Sequence, residues 1–117
     1  MPNFTMIHGD SVSLNGTVIS NSVPVDITTG QFRFTAKNYY TDPDSSAVII
    51  LTSPTNIVVV NGPLGQFQVL IDPSNTSSLS EVVTKLVYDI QLTLDGNVYT
   101  IAQGFLLINP DVSQTTP

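Results

Sequence analysis

The side chains with the most chemistry to offer stand close together between Arg33 and Asp44. Arg33 and Lys37, two of the three cations in the chain, are four residues apart in a run whose apolar members are Phe32, Phe34 and Ala36. That alternation places both cations on one solvent face of one strand. Tyr39-Tyr40 follows, where the strand gives way to a loop. A pair of exposed tyrosines stacks on sugar rings or anchors a protein interface, and it serves equally to cover the edge of a core. Arg33, Lys37, Tyr39 and Tyr40 are therefore the candidate interaction surface.

Other polar groups offer less. Asp42-Pro43-Asp44-Ser45-Ser46 carries oxygen-bearing side chains at alternate positions, as calcium loops do. An EF-hand loop needs glycine at its sixth position and glutamate at its twelfth, and Ala47 and Ser53 stand there. An ordinary turn is the plainer reading, with a non-EF calcium site from Asp42, Asp44 and Asp72 as the lesser one. The single histidine, His8, precedes Gly9-Asp10. A His–carboxylate pair ligates metals or relays protons, but without cysteine or a second histidine it lacks the ligands zinc takes. It reads as a surface histidine ahead of the first long strand.

No Ser-His-Asp set, Gly-x-Ser-x-Gly elbow or glycine-rich phosphate loop is present. Of the nine acids only one is Glu, and Asp26, Asp72, Asp95 and Asp111 lie in turn-like contexts that account for them. Three acceptor patterns for N-glycosylation, at Asn3, Asn15 and Asn75, are the number that chance gives in a chain so rich in Asn, Ser and Thr. The expectation is a protein that is not an enzyme, with no metal and no cofactor.

The elements that would position these residues are strands. Val12, Leu14 and Val18 alternate with polar residues, as do Phe32 to Lys37, Phe67 to Ile71, and Leu86 to Leu94. Val48 to Leu51 and Ile57 to Val60 are short β-branched runs, and Val98 to Ile108 is a long apolar one in which Gly104 marks a bulge or a close backbone approach. Asp95-Gly96-Asn97 is a hairpin signal, since glycine supplies the positive φ a tight turn demands. Asn61 to Gly65 and Asp72 to Thr76 are further turns. Leu79 to Val83, after Ser77 or Ser78 as a cap, is the one place for a short helical turn.

Seven to eight mostly antiparallel strands with turns every 8 to 12 residues describe an all-β, immunoglobulin-like β-sandwich. The usual disulfide is absent, because the chain has no cysteine. Tyr88, two residues before Ile90, is a weak match to a tyrosine corner, with an aliphatic residue filling the core in place of the second cysteine. The expected organisation is an N-terminal arm over 1–8, the sandwich over 9–108 and an exposed C-terminal tail over 109–117.

Composition bounds the partners. The 117 residues carry 3 Lys+Arg against 9 Asp+Glu, a net charge of -6, and only 10% charged residues, against roughly 25% in an average soluble domain. Three cations do not build a phosphate-binding surface, so nucleic acid is not an expected partner. Hydrophobic residues at 41% and a mean hydropathy of +0.22 do not suit intrinsic disorder. The longest apolar run, Ala47 to Leu51, is far short of the roughly 20 residues that span a bilayer. Met1 to Asp10 has neither the basic nor the apolar region of an export signal, so a chain made in the cytoplasm without a signal peptide is expected, a pattern that also fits a protein working later outside the cell as part of a particle.

The order of motifs supplies a resemblance. Gly9-Asp10-Ser11-Val12-Ser13-Leu14 is followed by Pro24-Val25-Asp26-Ile27-Thr28-Thr29-Gly30-Gln31-Phe32-Arg33-Phe34-Thr35-Ala36-Lys37. Then come Tyr88-Asp89-Ile90-Gln91-Leu92 and the hairpin Asp95-Gly96-Asn97-Val98-Tyr99-Thr100-Ile101-Ala102-Gln103-Gly104. From Gly9 to Asp111 the chain resembles the immunoglobulin-like domains of tailed-bacteriophage and prophage proteins, in particular the N-terminal domain of baseplate upper proteins. The resemblance implies a non-enzymatic structural component of a virion, oligomeric in the particle. It implies that Pro24-Val25-Asp26 turns the chain between sheets, with Asp26 accepting backbone N–H bonds, and that Arg33 and Lys37 point outward. Baseplate proteins of this kind continue into further domains where this sequence stops at Pro117, so the expected role is a small accessory subunit. Head decoration or cement, bound to the major capsid protein, comes first, with a tail or baseplate adaptor as the alternative. An immunoglobulin-like carbohydrate-binding module using Tyr39, Tyr40, Tyr99 and loop Asp and Asn side chains is the alternative from another class.

Overall fold

The computed structural model of the chain describes residues 3–7, 9–76 and 84–109. It contains β1 (Phe4–Ile7), β2 (Val12–Thr17), β3 (Ile19–Ser20), β4 (Val23–Pro24), β5 (Gln31–Lys37), β6 (Ile49–Thr52), β7 (Ile57–Asn61), β8 (Gln66–Ile71), β9 (Thr84–Leu94) and β10 (Asn97–Asn109). One 3-10 turn, Asp44–Ser46, and one turn of α-helix, Pro73–Thr76, interrupt them. The order β1-β10-β9-β5-β6 makes a five-stranded sheet, β2-β8-β7 a second sheet, and β3-β4 a small hairpin. Every pairing is antiparallel except β1 with β10.

The all-β sandwich expected from the alternation is present, and its strand order is of immunoglobulin type. β2, β8 and β7 take the places of strands B, E and D, and β10, β9, β5 and β6 those of G, F, C and C′. The strand patterns explain the layering. β5 buries Phe32, Phe34 and Ala36, β9 buries Leu86, Tyr88, Ile90 and Leu92, and β8 buries Phe67, Val69 and Ile71. Their alternating neighbours face outward, as a period of two requires.

Aromatic rings tie the core together. Phe32 and Phe67 stack with centroids 4.8 Å apart, joining the two sheets. Phe34 stacks on Tyr88 at 5.3 Å, and Phe4 meets the same ring edge-on at 5.2 Å. Each fully buried large side chain contributes about 1.5–3 kcal/mol by leaving water, so this core replaces the cross-sheet disulfide. Ile90 is fully buried, as expected of the position that would hold a cysteine. Tyr88 lies mid-strand, between Ala36 on β5 and Gly104 on β10. Those two small residues leave room for its ring.

Several expectations need correction. Part of the segment read as an arm is a strand: Phe4–Ile7 runs beside Leu106–Asn109 in parallel register and buries Met6. Phe4 and Met6 alternate with Thr5 and Ile7, but four residues are too few for the pattern to stand out. Asn109 ends β10 rather than beginning a tail, and the remainder of the tail lies outside the described residues. The irregularity in β10 falls between Thr100 and Ala102, not at Gly104, which keeps regular register. The described helical turn is Pro73–Thr76, where the sequence indicates a turn; the expected one at 79–83, like His8, lies outside the described residues. No helix among the described residues is long and apolar enough to cross a membrane.

Candidate interaction surface

β5 sends Arg33, Thr35 and Lys37 to the outer face of the five-stranded sheet, because Phe32, Phe34 and Ala36 are claimed by the core. The loop after β5 then returns across that face. It starts with a local closure in which Asp42 Oδ2 accepts from the Tyr39 N–H at 3.3 Å and the Asp42 N–H donates to Tyr39 O at 3.1 Å. The 3-10 turn follows and places Asp44 over the strand. Lys37 Nζ lies 2.7 Å from Asp44 Oδ1 and donates to Asp42 O at 2.8 Å, and Arg33 Nη2 lies 3.6 Å from Asp44 Oδ2.

The two cations thus point outward as the resemblance implies, but they are not free. Both are occupied by one carboxylate. The Lys37 side chain is only 18% exposed, but its partner Asp44 is 63% exposed, so the pair stays open to solvent on the loop side. Lys37 holds the Asp44 carboxyl below the usual carboxylate range, first through its hydrogen bond and then through its charge, with Arg33 adding a smaller pull. Arg33 Nε is buried and makes no hydrogen bond among the described residues.

Asp89 completes the group. The register pairs it with Thr35 on one side and Gln103 on the other. Burial pushes its carboxyl above the usual range; Lys37 and Arg33 oppose that shift, and Asp44 adds to it. Between these residues and Tyr40 lies a hollow of about 100 Å³, which is smaller than small-molecule sites of roughly 300–1,000 Å³. Arg33, Lys37 and Asp44, with Asp42 O, form a clasp that fastens the loop to the sheet, and Asp89 lies beside it on β9.

The tyrosines behave differently from the cations. Tyr39 and Tyr40 are 70% and 63% exposed. They follow Lys37, which pairs with Val87 at one end of the sheet, whereas Tyr99 pairs with Leu92 towards the other end. Tyr99 instead lines an apolar groove of about 390 Å³ with Ile19, Val25, Leu94 and Ile101, beneath the β3–β4 hairpin. The three tyrosines therefore share no flat face. The lesser calcium site is not assembled either: Asp72, just after β8, accepts at Oδ2 from Asn56 Nδ2 at 3.0 Å, just before β7. No cluster of three or more metal-ligating His, Cys, Asp or Glu side chains occurs among the described residues.

The turn at Asp26 forms as the resemblance implies. Its Oδ1 accepts from the Thr28 N–H at 3.0 Å and the Thr28 hydroxyl at 2.5 Å, and these bonds hold its carboxyl below the ordinary value. This closure seats Ile27 in the core with no exposed surface.

Sequence reasoning points to contacts through strand edges, loops and termini but does not say which strands form the edges. β1 and β6 bound one sheet, and β2 and β7 the other. Their sequences, FTMI, IILT, VSLNGT and IVVVN, contain no charged residue. The charged residues in the strands, Arg33, Lys37, Lys85 and Asp89, all belong to the interior strands β5 and β9. The signal was present in the composition of each run but depended on knowing which strands lie outermost. Comparison of the sequence with protein-family models and with curated proteins gives no match in either case.

Proposed function

We propose that the chain is a non-enzymatic, immunoglobulin-like accessory subunit of a bacteriophage particle that binds other virion proteins through its strand edges, as head decoration or cement. The observation that carries the binding role is the absence of charge from all four edge strands. Proteins that stay apart commonly protect such edges with lysine, proline or inward charges. Here the edges are left fit for strand addition, in which main-chain hydrogen bonds supply affinity and side chains supply register. Exposed Ile50 on β6 and Val59 and Val60 on β7 add apolar contact area at two of them.

The particle itself is argued from the order of motifs between Gly9 and Asp111. The occupied state of Arg33 and Lys37 moves the proposed binding role away from those cations and toward the edges and the two exposed tyrosines. Mass spectrometry of gradient-purified particles from a producing host tests the reading. Peptides of this chain should co-sediment with intact particles and, after separation, with heads. Recovery with tails alone selects the adaptor role, and absence from particles overturns the proposal.

A further inference from the structure

We infer that β2 is a self-pairing edge: two copies of this chain join antiparallel along Val12–Thr17 and merge their three-stranded sheets into one of six strands. The inference rests on the edge-binding reading above and names the partner for one edge. β2 is the longest of the four edge strands at six residues, against five for β7 and four each for β1 and β6. It keeps unbroken register with β8 from Val12↔Ile71 to Thr17↔Gln66, whereas β7 carries an irregularity between Val59 and Asn61. Among the described residues it makes no backbone hydrogen bond on the side away from β8. An unpaired, uncharged edge with unbroken register is the surface that another extended backbone completes.

A second copy fits this edge in a register centred on Leu14. Paired residues must share a face, so a two-fold axis has to pass through a residue and not between two. With the axis at Leu14, the half-buried leucines face each other and Val12 of each copy faces Gly16 of the other. The valine then covers the place where glycine leaves the core-facing row without a side chain. On the outer face Ser13 lies opposite Asn15 of the second copy, and the Asn15 Oδ1 already accepts from Gln68 Nε2 at 3.2 Å. Its amide N–H groups remain to donate to the serine hydroxyl across the axis. Asp10, the nearest acid, falls opposite Val18 of the second copy, so two copies that each carry -6 meet along β2 without facing carboxylates. Moving the axis to Asn15 would instead pair Asn15 with itself and Leu14 with Gly16, giving up both matches.

A contact of one strand pair belongs with small, weak interfaces, so it is read across micromolar to millimolar protein. Sedimentation velocity should show the mass rising from 12.6 kDa toward twice that value. Amide-exchange protection of residues 12–17 should rise in step. The double variant Ser13→Lys/Asn15→Lys alters only exposed side chains of the outer face and should stay monomeric, since lysines then face each other across the axis. Ser13→Glu/Asn15→Glu should do the same, and mixing the two variants should restore the dimer. A parent chain monomeric throughout the range overturns the inference. So does a dimer without concentration-dependent protection in β2, a lysine variant that pairs as well as the parent, or a mixture that stays monomeric. Protection of β2 that appears only when particle proteins are added gives the edge to another partner and overturns it as well. A chain found in purified particles but monomeric when pure overturns this inference alone and leaves the proposed function standing.

Discussion

Asp44 and Asp89 sit on the same sheet face, near the same two cations, and respond in opposite senses. Asp44 ionises more readily in the folded chain because Lys37 bonds it. Its contribution to stability is present above its ordinary value of 3.8 and is lost as pH falls through the lower folded value. Asp89 ionises less readily because it is desolvated between β5 and β10. Its contribution is full below 3.8 and is lost as pH rises through the raised folded value, so at neutral pH its charge works against the fold. Asp89→Asn should therefore raise the melting temperature slightly at pH 7, with the gain vanishing near pH 3, where the parent carboxyl is itself protonated. Asp44→Asn should lower it at pH 7, and that loss should shrink on acidification. Melts of the three proteins across this range check both signs. The outward position of Arg33 and Lys37 was legible from alternation with Phe32 and Phe34. Their capture by Asp44 was not, because it depends on how the loop closes through Asp42 and Tyr39, and alternation says nothing of loop paths.

At the level of elements, turn chemistry was legible where glycine marked it and obscure where it did not. Asp95 and Gly96 adopt positive φ of 52° and 81° and close the β9–β10 hairpin, as their pairing in the sequence indicates. Asn21 and Ser22 do the same for β3–β4 with φ of 52° and 63°, but Asn-Ser is a weaker signal than Asn-Gly and does not mark the hairpin in the sequence. β5, β8 and β9 were read because each alternates over six residues or more, a length that β1 lacks. The sequence marked both Gly65 and Gly96 as turn residues without showing that their tolerances differ. Gly65, at φ of 70°, is packed so that a Cβ would lie 2.5 Å from Val18 O and 2.8 Å from Val25 O, whereas a Cβ on Gly96 would meet nothing within 4 Å. Gly96→Ala should cost only the left-handed backbone, about 1–3 kcal/mol. Gly65→Ala should cost clearly more, because two backbone carbonyls must also move. Urea midpoints of the two variants, measured side by side, check the difference.

Among the described strands, charge is confined to the interior β5 and β9 and absent from the edges, an arrangement visible only once the strand order is known. Sequence alone indicated a sandwich and its core, since Phe32, Phe67 and Ile90 lie in strongly alternating runs. It did not rank the surfaces, because exposure of an edge is a property of topology. The parallel seam between β1 and β10 has a mechanical meaning. When Phe4 and Asn109 are drawn apart, the two strands slide along each other, and the bonds between Phe4–Ile7 and Leu106–Asn109 bear the load together in shear. Cysteines placed at Thr84 and Ile108, paired at the open end of the β9–β10 hairpin, would load that ladder one bond after another instead. The native chain has no cysteine, so either pulling direction can be installed without interference. Single-molecule extension should then give a higher rupture force along the seam than across the hairpin, making this sandwich stiffest when tension runs between its first and last strands.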